Sequence, residues 1–427
     1  MSPKLSLLDL EFNQSYTFIK VRIYQRNIFD QIKPYLGDRE AIVITGARQV
    51  GKTYLLFYLK NYLEKKGKLV FYYDLEYPEL LTTLNSGIDD LIIDLKNRGW
   101  KEGAEVFVLI DEVQYLENPS SLIKIIVDHY PEIHLIVSGS SSLKIKTKFR
   151  DSLVGRINVF PLFPLSFDEF LRFTNCPYQL QTRLSPATLK TIKKLYYQFI
   201  YFGGYPRVAL EESQEKKKRY LLQVIDTYIR KDVADLAKIE NIRKFNQLLK
   251  VLAAQSGQIL DYQRVSRQTG VSFPTLKKYL TILEQTFVIK LVTPYSKNPQ
   301  VEIRKKPKIY FLDSGLTSLL WLNEFSPTLL GNILETNIFS ELVKKYGPDQ
   351  IFFWRTKIGQ EVDFIIEKEK LLALEVKTNF NQAKLSHLHS FLKKYPTADW
   401  RLIALEGKKE NPHFIFPWDL LISSPGN

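Results

Sequence analysis

A glycine-rich turn between an apolar strand and an apolar helix constrains this chain more than any other feature. The turn has the pattern Gly-x-x-x-x-Gly-Lys-Thr, follows the apolar residues 42–44, and is itself followed by Leu55 and Leu56. Glycine at the two fixed positions permits backbone conformations in which successive N–H groups turn inward around an anion. The pattern therefore predicts a phosphate-binding loop that leads from a buried strand into a helix N-terminus. Its members are Gly46, Ala47, Arg48, Gln49, Val50, Gly51, Lys52 and Thr53.

Two side chains of this loop carry the expected chemistry. Lys52 should reach the β and γ phosphates of a nucleotide, and the Thr53 hydroxyl should ligate Mg²⁺. The sequence therefore predicts ATP and Mg²⁺ as cofactors, although no motif distinguishes an adenine pocket from a guanine pocket. Residues 1–40 are interpreted as a segment that covers the nucleotide site. There Ile23 or Tyr24 would contact the base, and simple packing is the alternative.

Two further strands are predicted to end at the same site. Residues 106–110 are all apolar, as in a strand buried on both faces of a parallel sheet, and Asp111 and Glu112 follow them. Asp111 would hold Mg²⁺ through water and Glu112 would polarise the attacking water. A surface acidic pair is the alternative interpretation. The next apolar strand ends at Ser138, which is a candidate sensor of the γ-phosphate.

Composition sets the class of protein. With 427 residues, 45% of them hydrophobic, the chain should form two or three domains with separate cores. Its single cysteine, Cys176, excludes an internal disulfide and disfavours a cysteine-based zinc site. Because no apolar run approaches the roughly twenty residues of a membrane span, we expect a soluble, cytoplasmic protein without a membrane partner. The net charge of +14 prompts a search for a polyanionic partner.

The predicted ATPase core covers residues 41–165, and residues 166–241 are predicted to form a helical lid and connector. Near the end of the core lies Arg156, a candidate arginine finger that would neutralise charge on the transferring phosphoryl group. It would act in cis or from a neighbouring subunit, so a homo-oligomer is one predicted state. The alternatives are a surface arginine, or an arginine paired with Asp168 or Glu169.

Residues 242–315 are predicted to form a winged helix. A short helix, a glycine turn at Gly270 and an amphipathic helix over residues 273–287 indicate a helix-turn-helix, and two strands would then flank a basic loop. DNA is the predicted partner of this module, in major-groove fashion; the alternative is a protein-docking module. The side chains predicted to face DNA are Thr275, Lys277 and Lys278 on the second helix and Arg304, Lys305 and Lys306 in the wing.

A second constellation lies in residues 331–427. Glu335 is predicted to lie on a helix, and two strands joined by a charged turn place Asp363 opposite Glu375. Their carboxylates could share a second divalent cation, and Lys377 would lie on the same face as Glu375. This is the arrangement of a metal-dependent nuclease. The alternative is a degenerate copy of that fold, which binds nucleic acid or a partner without cutting.

Taken together, the motifs resemble a prokaryotic family of AAA-superfamily P-loop ATPases that end in a domain of unknown function. The resemblance implies an α/β protein with an AAA-like parallel sheet, a winged-helix middle and a C-terminal PD-(D/E)XK-like domain, as in restriction endonucleases. It also implies that Arg156 acts near the nucleotide. Val362 precedes Asp363 where the restriction-type motif has proline, which leaves cutting open. The matching segments are residues 46–53, 109–114, 138–140, 155–156, 164–167, 203–206, 353–355 and 361–364.

Overall fold

The structure is a computed structural model that describes residues 8–10, 21–140, 153–181, 183–296, 306–325, 328–382 and 385–422. The chain divides into two compact units, Met1–Phe163 and Pro164–Asn427. The division falls close to residue 165, where the sequence places the end of the ATPase core, while the finer five-part division stays a prediction. No helix within the described ranges combines the length and the apolar character that a membrane crossing needs.

The first unit is built on a five-stranded sheet in the order β4-β5-β6-β3-β7, in which all neighbours run parallel. Every residue of β3 and β5 is buried, as expected for strands covered on both faces. The strands are β1 (Leu8–Leu10), β2 (Val21–Ile23), β3 (Ala41–Gly46), β4 (Val70–Asp74), β5 (Val106–Asp111), β6 (Ile133–Ser140) and β7 (Ile157–Pro161). The helices are α1 (Ile28–Ile32), α2 (Lys52–Lys65), α3 (Pro78–Ser86), α4 (Ile88–Asn97) and α5 (Pro119–His129).

The parallel arrangement decides where polar side chains collect. Strands β3, β5 and β6 all end at one edge of the sheet, so the loop after β3, Asp111 and Ser138 meet there. Ile23 is only 1% exposed, so its side chain packs in the interior and is not accessible to a nucleotide base. The contact of Tyr24 with a base stays a prediction.

The second unit contains an antiparallel pair, β8-β9, and a mixed sheet in the order β10-β11-β12-β13-β14. In the mixed sheet β10, β11 and β12 are antiparallel neighbours, whereas β12, β13 and β14 run parallel. The strands are β8 (Ile289–Val292), β9 (Lys308–Phe311), β10 (Ile351–Arg355), β11 (Glu361–Ile366), β12 (Leu372–Val376), β13 (Asp399–Ile403) and β14 (Phe414–Ile415). The helices are α6 (Phe167–Phe173), α7 (Pro186–Phe202), α8 (Pro206–Leu210), α9 (Gln214–Val224, continued by the π-helical Ile225–Asp232), α10 (Val233–Ala237), α11 (Ile242–Ala254), α12 (Tyr262–Thr269), α13 (Phe273–Gln285), α14 (Ser314–Leu322), α15 (Gly331–Tyr346) and α16 (Ser386–Lys394).

Helices α11, α12 and α13 followed by β8 and β9 have the order that the sequence predicts for a winged helix. The turn between α12 and α13 is made by Gly270, which has a left-handed φ of +65°. Ser272 then caps α13 by accepting a hydrogen bond from the Thr275 backbone N–H. Arg304 and Lys305, two of the predicted wing charges, lie outside the described residues.

A glycine pair at the end of α7 is held by a buried carboxylate. The Asp313 side chain accepts a hydrogen bond from the Gly204 N–H at 2.8 Å and one from the Leu316 N–H at 2.9 Å. A Cβ at Gly203 would lie 2.2 Å from an Asp313 oxygen, and a Cβ at Gly204 would lie 2.4 Å from the Leu165 carbonyl oxygen. The turn is therefore closed to any side chain.

Replacing Gly204 by alanine should lower the free energy of unfolding by about 1–3 kcal/mol, because the new methyl group must displace backbone. Thermal denaturation measures the change. Gly331 is the matched control, since nothing lies within 4 Å of a Cβ there and alanine at the start of α15 should be neutral or slightly stabilising. Equal stability of the two variants would contradict the close approach at Gly204.

Candidate functional site

The loop between β3 and α2 has a backbone that only glycine can supply at two positions. A Cβ at Gly46 would lie 2.3 Å from the Leu162 carbonyl oxygen, and Gly51 has a φ of +97°. The Leu162 N–H donates to the Thr45 carbonyl oxygen at 2.6 Å, which fixes the strand end beside the loop. The two glycines of the motif therefore serve a close approach and a left-handed turn, respectively.

Lys52 begins α2 and points back into the loop. Its side chain is buried, and its Nζ donates to the Gly46 carbonyl oxygen at 3.3 Å and to the Ala47 carbonyl oxygen at 3.1 Å. Burial lowers the pKa of Lys52, while the nearby Glu112 and Asp111 charges act in the opposite direction. The ammonium is thus held where the inward-facing loop would present it to a phosphate.

Asp111 is the centre of the hydrogen-bond network at this edge of the sheet. Its Oδ2 accepts from the Thr53 hydroxyl at 2.6 Å and from the Tyr72 hydroxyl at 3.2 Å. Its Oδ1 accepts from the Ser138 hydroxyl and from the Glu112 N–H, the latter at 3.1 Å. Four donors therefore fix the carboxylate, and they bring together the three predicted residues Thr53, Asp111 and Ser138.

Glu112 stands directly after the strand in a left-handed conformation, with a φ of +56°. This conformation is uncommon for a residue other than glycine and often marks a functional position. The Gln114 side chain holds the Glu112 carboxylate, because its Nε2 donates to Glu112 and its Oε1 accepts from the Ser140 N–H at 3.2 Å. Sequence reasoning did not assign Gln114 a role, although it lies only two residues from the acidic pair.

The carboxylates of Asp74, Glu76, Asp111 and Glu112 give this edge of the sheet a negative electrostatic potential. Burial, with a smaller contribution from Asp111, raises the pKa of Asp74, and burial followed by the Asp74 charge raises the pKa of Glu76. Such a site favours a cation. Among the described residues no three or more His, Cys, Asp or Glu side chains are grouped to hold a metal alone. The Thr53 and Asp111 oxygens, with phosphate and water, are the donor set that Mg²⁺ takes in nucleotide sites, so these residues fit it.

Arg26 anchors the loop from the segment before the sheet. Its guanidinium is buried and donates to the Val50 carbonyl oxygen and to the Phe163 carbonyl oxygen, each at 2.8 Å. Sequence reasoning missed this contact because Arg26 carries no motif and lies far from both acceptors in the chain. A buried arginine on these carbonyls stabilises the backbone of the predicted phosphate-binding loop.

Arg156 lies far from the edge of the sheet at which the candidate nucleotide site of the same chain is found. Its carbonyl oxygen accepts from the Ala41 N–H at 2.9 Å, where β3 begins, and its Nε donates to Asp128 at 2.7 Å. The loop follows the opposite end of β3, roughly 17 Å away at about 3.3 Å per residue. The prediction of an arginine finger in cis is therefore corrected, and action in a neighbouring subunit stays a prediction. The predicted pairing with Asp168 or Glu169 is replaced by the pair with Asp128.

The C-terminal candidate residues do meet, but together with a lysine that the sequence did not reveal. Strand β11 pairs with β12 so that Phe364 faces Leu374, which brings Asp363 beside Glu375, and the Val376 N–H donates to Asp363 at 2.8 Å. The lysine is Lys308 of β9, and we call the whole group the acid–lysine cluster. Its members are Lys308, Glu335, Glu361, Asp363, Glu375 and Lys377.

Lysine ammonium groups lie where the sequence led us to expect a second divalent cation. The Lys308 Nζ is 3.2 Å from Glu335 and 2.7 Å from Glu361, and its side chain is only 3% exposed. Lys377 lies 2.6 Å from Glu375. The Tyr310 hydroxyl also donates to Glu335 at 2.6 Å. Two ammonium groups thus face four carboxylates and offset part of their charge. The second divalent cation and the nuclease activity stay predictions.

Burial perturbs the acids of this cluster strongly. Burial and the Asp363 charge raise the pKa of Glu335 and of Glu375 to about 7. Lys308 and Lys377 act in the opposite direction on the two acids, respectively. One buried oxygen, Oε2 of Glu375, has no hydrogen-bond partner. Burying these charges therefore costs free energy, and the lysines of the acid–lysine cluster offset part of that cost.

The predicted DNA-facing side chains differ in their availability. Lys277 and Lys278 are exposed on α13, and the Lys277 ammonium lies 4.6 Å from the centre of the Phe273 ring. Thr275 is half-buried in the first turn of the helix. Lys306 is exposed, yet it forms an ion pair with Asp261 at 2.6 Å. Of the predicted residues within the described ranges, Lys277 and Lys278 are thus the most accessible.

Comparison with known protein families matches three parts of the chain. Residues 38–171 match the family described as an AAA domain. Residues 193–327 match a domain of unknown function, DUF8612, and residues 330–417 match a domain of unknown function, DUF4143.

The sequence similarity to other proteins covers most of the chain. Uncharacterized protein MJ1544 of Methanocaldococcus jannaschii is 25% identical over 370 residues, which cover 85% of this chain and 79% of that protein. An uncharacterized protein of Haemophilus influenzae is 24% identical over 371 residues, covering 84% of this chain and 87% of its own length.

Among solved structures, the chain is similar to a RuvB variant of Thermotoga maritima and to Cdc6p of Pyrobaculum aerophilum. The first has 18% identity and a TM-score of 0.28 and covers 63% of this chain and 90% of that chain. The second has 14% identity and a TM-score of 0.30 and covers 63% and 86%. From the family matches, the chain carries an AAA domain over residues 38–171 and, towards its C-terminal end, the domain of unknown function DUF4143 over residues 330–417.

Proposed function

We propose that this chain hydrolyses ATP with Mg²⁺ and engages DNA through α11, α12 and α13. The observation that supports hydrolysis is the convergence on Asp111, whose carboxylate accepts hydrogen bonds from Thr53 and Ser138. Glu112 stands next to it with its carboxylate held by Gln114. A phosphate loop alone binds nucleotide, whereas a placed acid beside the metal-binding pair can also activate water.

Each side chain has a defined role in this mechanism. When bound, Mg²⁺ would neutralise charge on the transferring phosphoryl group. Thr53 and Asp111 would hold the cation, and Lys52 would exchange the Gly46 and Ala47 carbonyls for phosphate oxygens. Glu112 would orient the attacking water and accept its proton. Ser138 would keep Asp111 in its rotamer and sense the phosphate.

Hydrolysis of ATP and of GTP in the presence of Mg²⁺, with and without double- or single-stranded DNA, tests this proposal. We expect Mg²⁺-dependent release of phosphate from ATP that DNA stimulates. Absence of any nucleotide hydrolysis under all these conditions would contradict the proposal. The same reactions, inspected for cuts in the DNA, report on the C-terminal domain.

The proposal of DNA engagement rests on the charge of the helical module. Residues 242–287 contain seven Lys or Arg residues, all exposed, against two acidic residues, both half-buried. A cluster of exposed basic side chains on one module is the electrostatic footprint of a polyanion partner. The basic residues are Arg243, Lys244, Lys250, Arg264, Arg267, Lys277 and Lys278.

Replacing Lys277 and Lys278 together by glutamine should weaken DNA binding about tenfold at low salt and lower the slope of log affinity against log salt by about two. Fluorescence anisotropy with a labelled duplex over a salt series measures both. The matched control is the double change of Lys393 and Lys394, an adjacent pair of exposed lysines on α16. Equal loss of affinity in the two double variants would show that only overall charge matters.

A regulatory ATPase whose C-terminal half docks a protein partner is the second candidate function. The acid–lysine cluster favours the part of it that treats the nuclease-like domain as an inert scaffold, because the Lys308 ammonium pairs with Glu335, one of the three acids predicted to bind the metal. DNA that stays intact, combined with no salt-sensitive binding, would support this candidate. Nicking with Mn²⁺ that is lost in Lys377→Ala would contradict the inert scaffold.

A further inference from the structure

We infer that the Tyr72 hydroxyl positions Asp111 for Mg²⁺ and thereby sets how tightly the site holds the cation. This inference rests on the proposed ATPase function and adds a residue to it. The Tyr72 hydroxyl lies 3.2 Å from Asp111 Oδ2, the oxygen that also accepts from Thr53. Two donors from different elements thus converge on one carboxylate oxygen.

The sheet explains why a tyrosine can reach Asp111. Strand β4 lies beside β5, with Tyr72 opposite Leu109 and Asp74 opposite Asp111. Alternate residues of a strand share a face, so Tyr72 lies on the same face as Asp74, two residues before the end of β4. The Tyr72 side chain extends from there towards the end of the sheet, where its hydroxyl donates to the Asp111 carboxylate of β5.

Packing keeps the phenol in place. The Tyr72 ring lies 5.1 Å from the ring of Phe57, centre to centre, on helix α2. Phe57 is one turn along the helix from Thr53. The helix that carries the Mg²⁺ ligand therefore also supports the ring that positions the other ligand, so the two donors to Asp111 are built on one rigid support.

The consequence is a preorganised metal ligand. Without the phenol, Asp111 would keep Thr53 as the donor to Oδ2 and Ser138 and the Glu112 N–H as donors to Oδ1, but Oδ2 would lose the contact from β4 that fixes its direction. Partners that hydrogen-bond to metal-ligating carboxylates typically contribute 10- to 100-fold in metal affinity. Tyr72 acts here through Asp111 and is a positioning residue.

Tyr72→Phe tests the inference with Tyr73→Phe as its matched control. Tyr73 is the next residue of the same strand, faces the opposite side, and donates to Asp94 at 2.6 Å. Both variants lose one phenol hydroxyl and one hydrogen bond to an aspartate. We would measure Mn²⁺ binding by electron paramagnetic resonance with ADP present, and the affinity for a fluorescent ADP analogue with and without Mg²⁺.

We expect Tyr72→Phe to weaken Mn²⁺ binding about tenfold, with nucleotide affinity in the absence of metal unchanged. Tyr73→Phe should leave both quantities unchanged. Unchanged Mn²⁺ binding in Tyr72→Phe, or an equal loss in the two variants, would overturn the inference while the wild-type protein still binds metal and nucleotide. A wild-type protein that binds neither would instead overturn the proposed function on which the inference rests.

Discussion

Replacing Glu112 by glutamine is expected to lower the rate of ATP hydrolysis by about 10²- to 10⁴-fold while ATP still binds. Glutamine keeps the shape of the side chain and can still accept a hydrogen bond from Gln114, but it cannot take a proton from water. The residues proposed to hold phosphate and metal, Lys52, Thr53 and Asp111, are unchanged. Phosphate release at saturating ATP and equilibrium binding of a fluorescent ATP analogue separate the two effects.

The control for this variant is Glu102→Gln. Glu102 is an exposed acid in the loop before β5, and its carboxylate pairs with Lys96 on the surface. The same chemical change there should leave the rate of hydrolysis unchanged, because a surface ion pair contributes little. Persisting turnover in Glu112→Gln with normal binding would show that another group activates the water.

The position of the candidate nucleotide site in the fold was largely predictable because its signals are local. A phosphate loop, an apolar strand that ends in Asp111 and another that ends in Ser138 can each be recognised within a short window. Parallel strands bring their carboxyl ends to one edge, so their meeting follows from the fold class. The hydrogen bonds of Thr53 and Ser138 to Asp111 agree with that expectation.

The supporting residues were not predictable because nothing near them in the sequence indicates their partners. Arg26, Tyr72 and Gln114 each contact the site through a side chain whose partner depends on strand order and loop path. Arg156 shows the opposite failure. The family resemblance implied a position near the nucleotide, but the pairing of β7 with β3 puts Arg156 beside Ala41, at the start of β3.

The C-terminal candidate site likewise contains contacts that the sequence predicts and contacts that it does not. The hairpin of β11 and β12 fixes Asp363 against Glu375 through local register, which the alternation of the two strands predicts. A further lysine beside Asp363 comes from β9, a strand that precedes β11 by about fifty residues. Only the packing of β9 against α15 and β11 shows that an ammonium lies there.

Replacing Lys308 by methionine is expected to lower the free energy of unfolding by about 3–5 kcal/mol near pH 8, because it removes the cation from a buried group of acids. Methionine keeps most of the volume of the lysine stem, so the loss reports the charge. Guanidinium denaturation measures it. The control is Lys290→Met on the neighbouring strand β8, where Lys290 pairs with the exposed Asp349 and the expected change is at most about 1 kcal/mol.

The effect of Lys308→Met should also depend on pH in a defined direction. The pKa of Glu335 is raised from 4.5 to about 7, so between these values the folded state binds more protons than the unfolded state. Its contribution to stability is full below pH 4.5 and is lost as the pH rises through about 7. Without Lys308 the pKa of Glu335 should rise further, which makes the variant still more stable in acid relative to base.

The difference in stability between wild-type protein and Lys308→Met should therefore be larger near pH 8 than near pH 5. A loss of the same size at both pH values would mean that packing of the lysine stem or its pair with Glu361, and not the charge of Glu335, accounts for the contribution of Lys308 to the acid–lysine cluster. That outcome would also remove the reason to regard the C-terminal domain as an inert scaffold. The comparison of the two pH values thus decides whether Lys308 acts as the counter-ion of the Glu335 carboxylate.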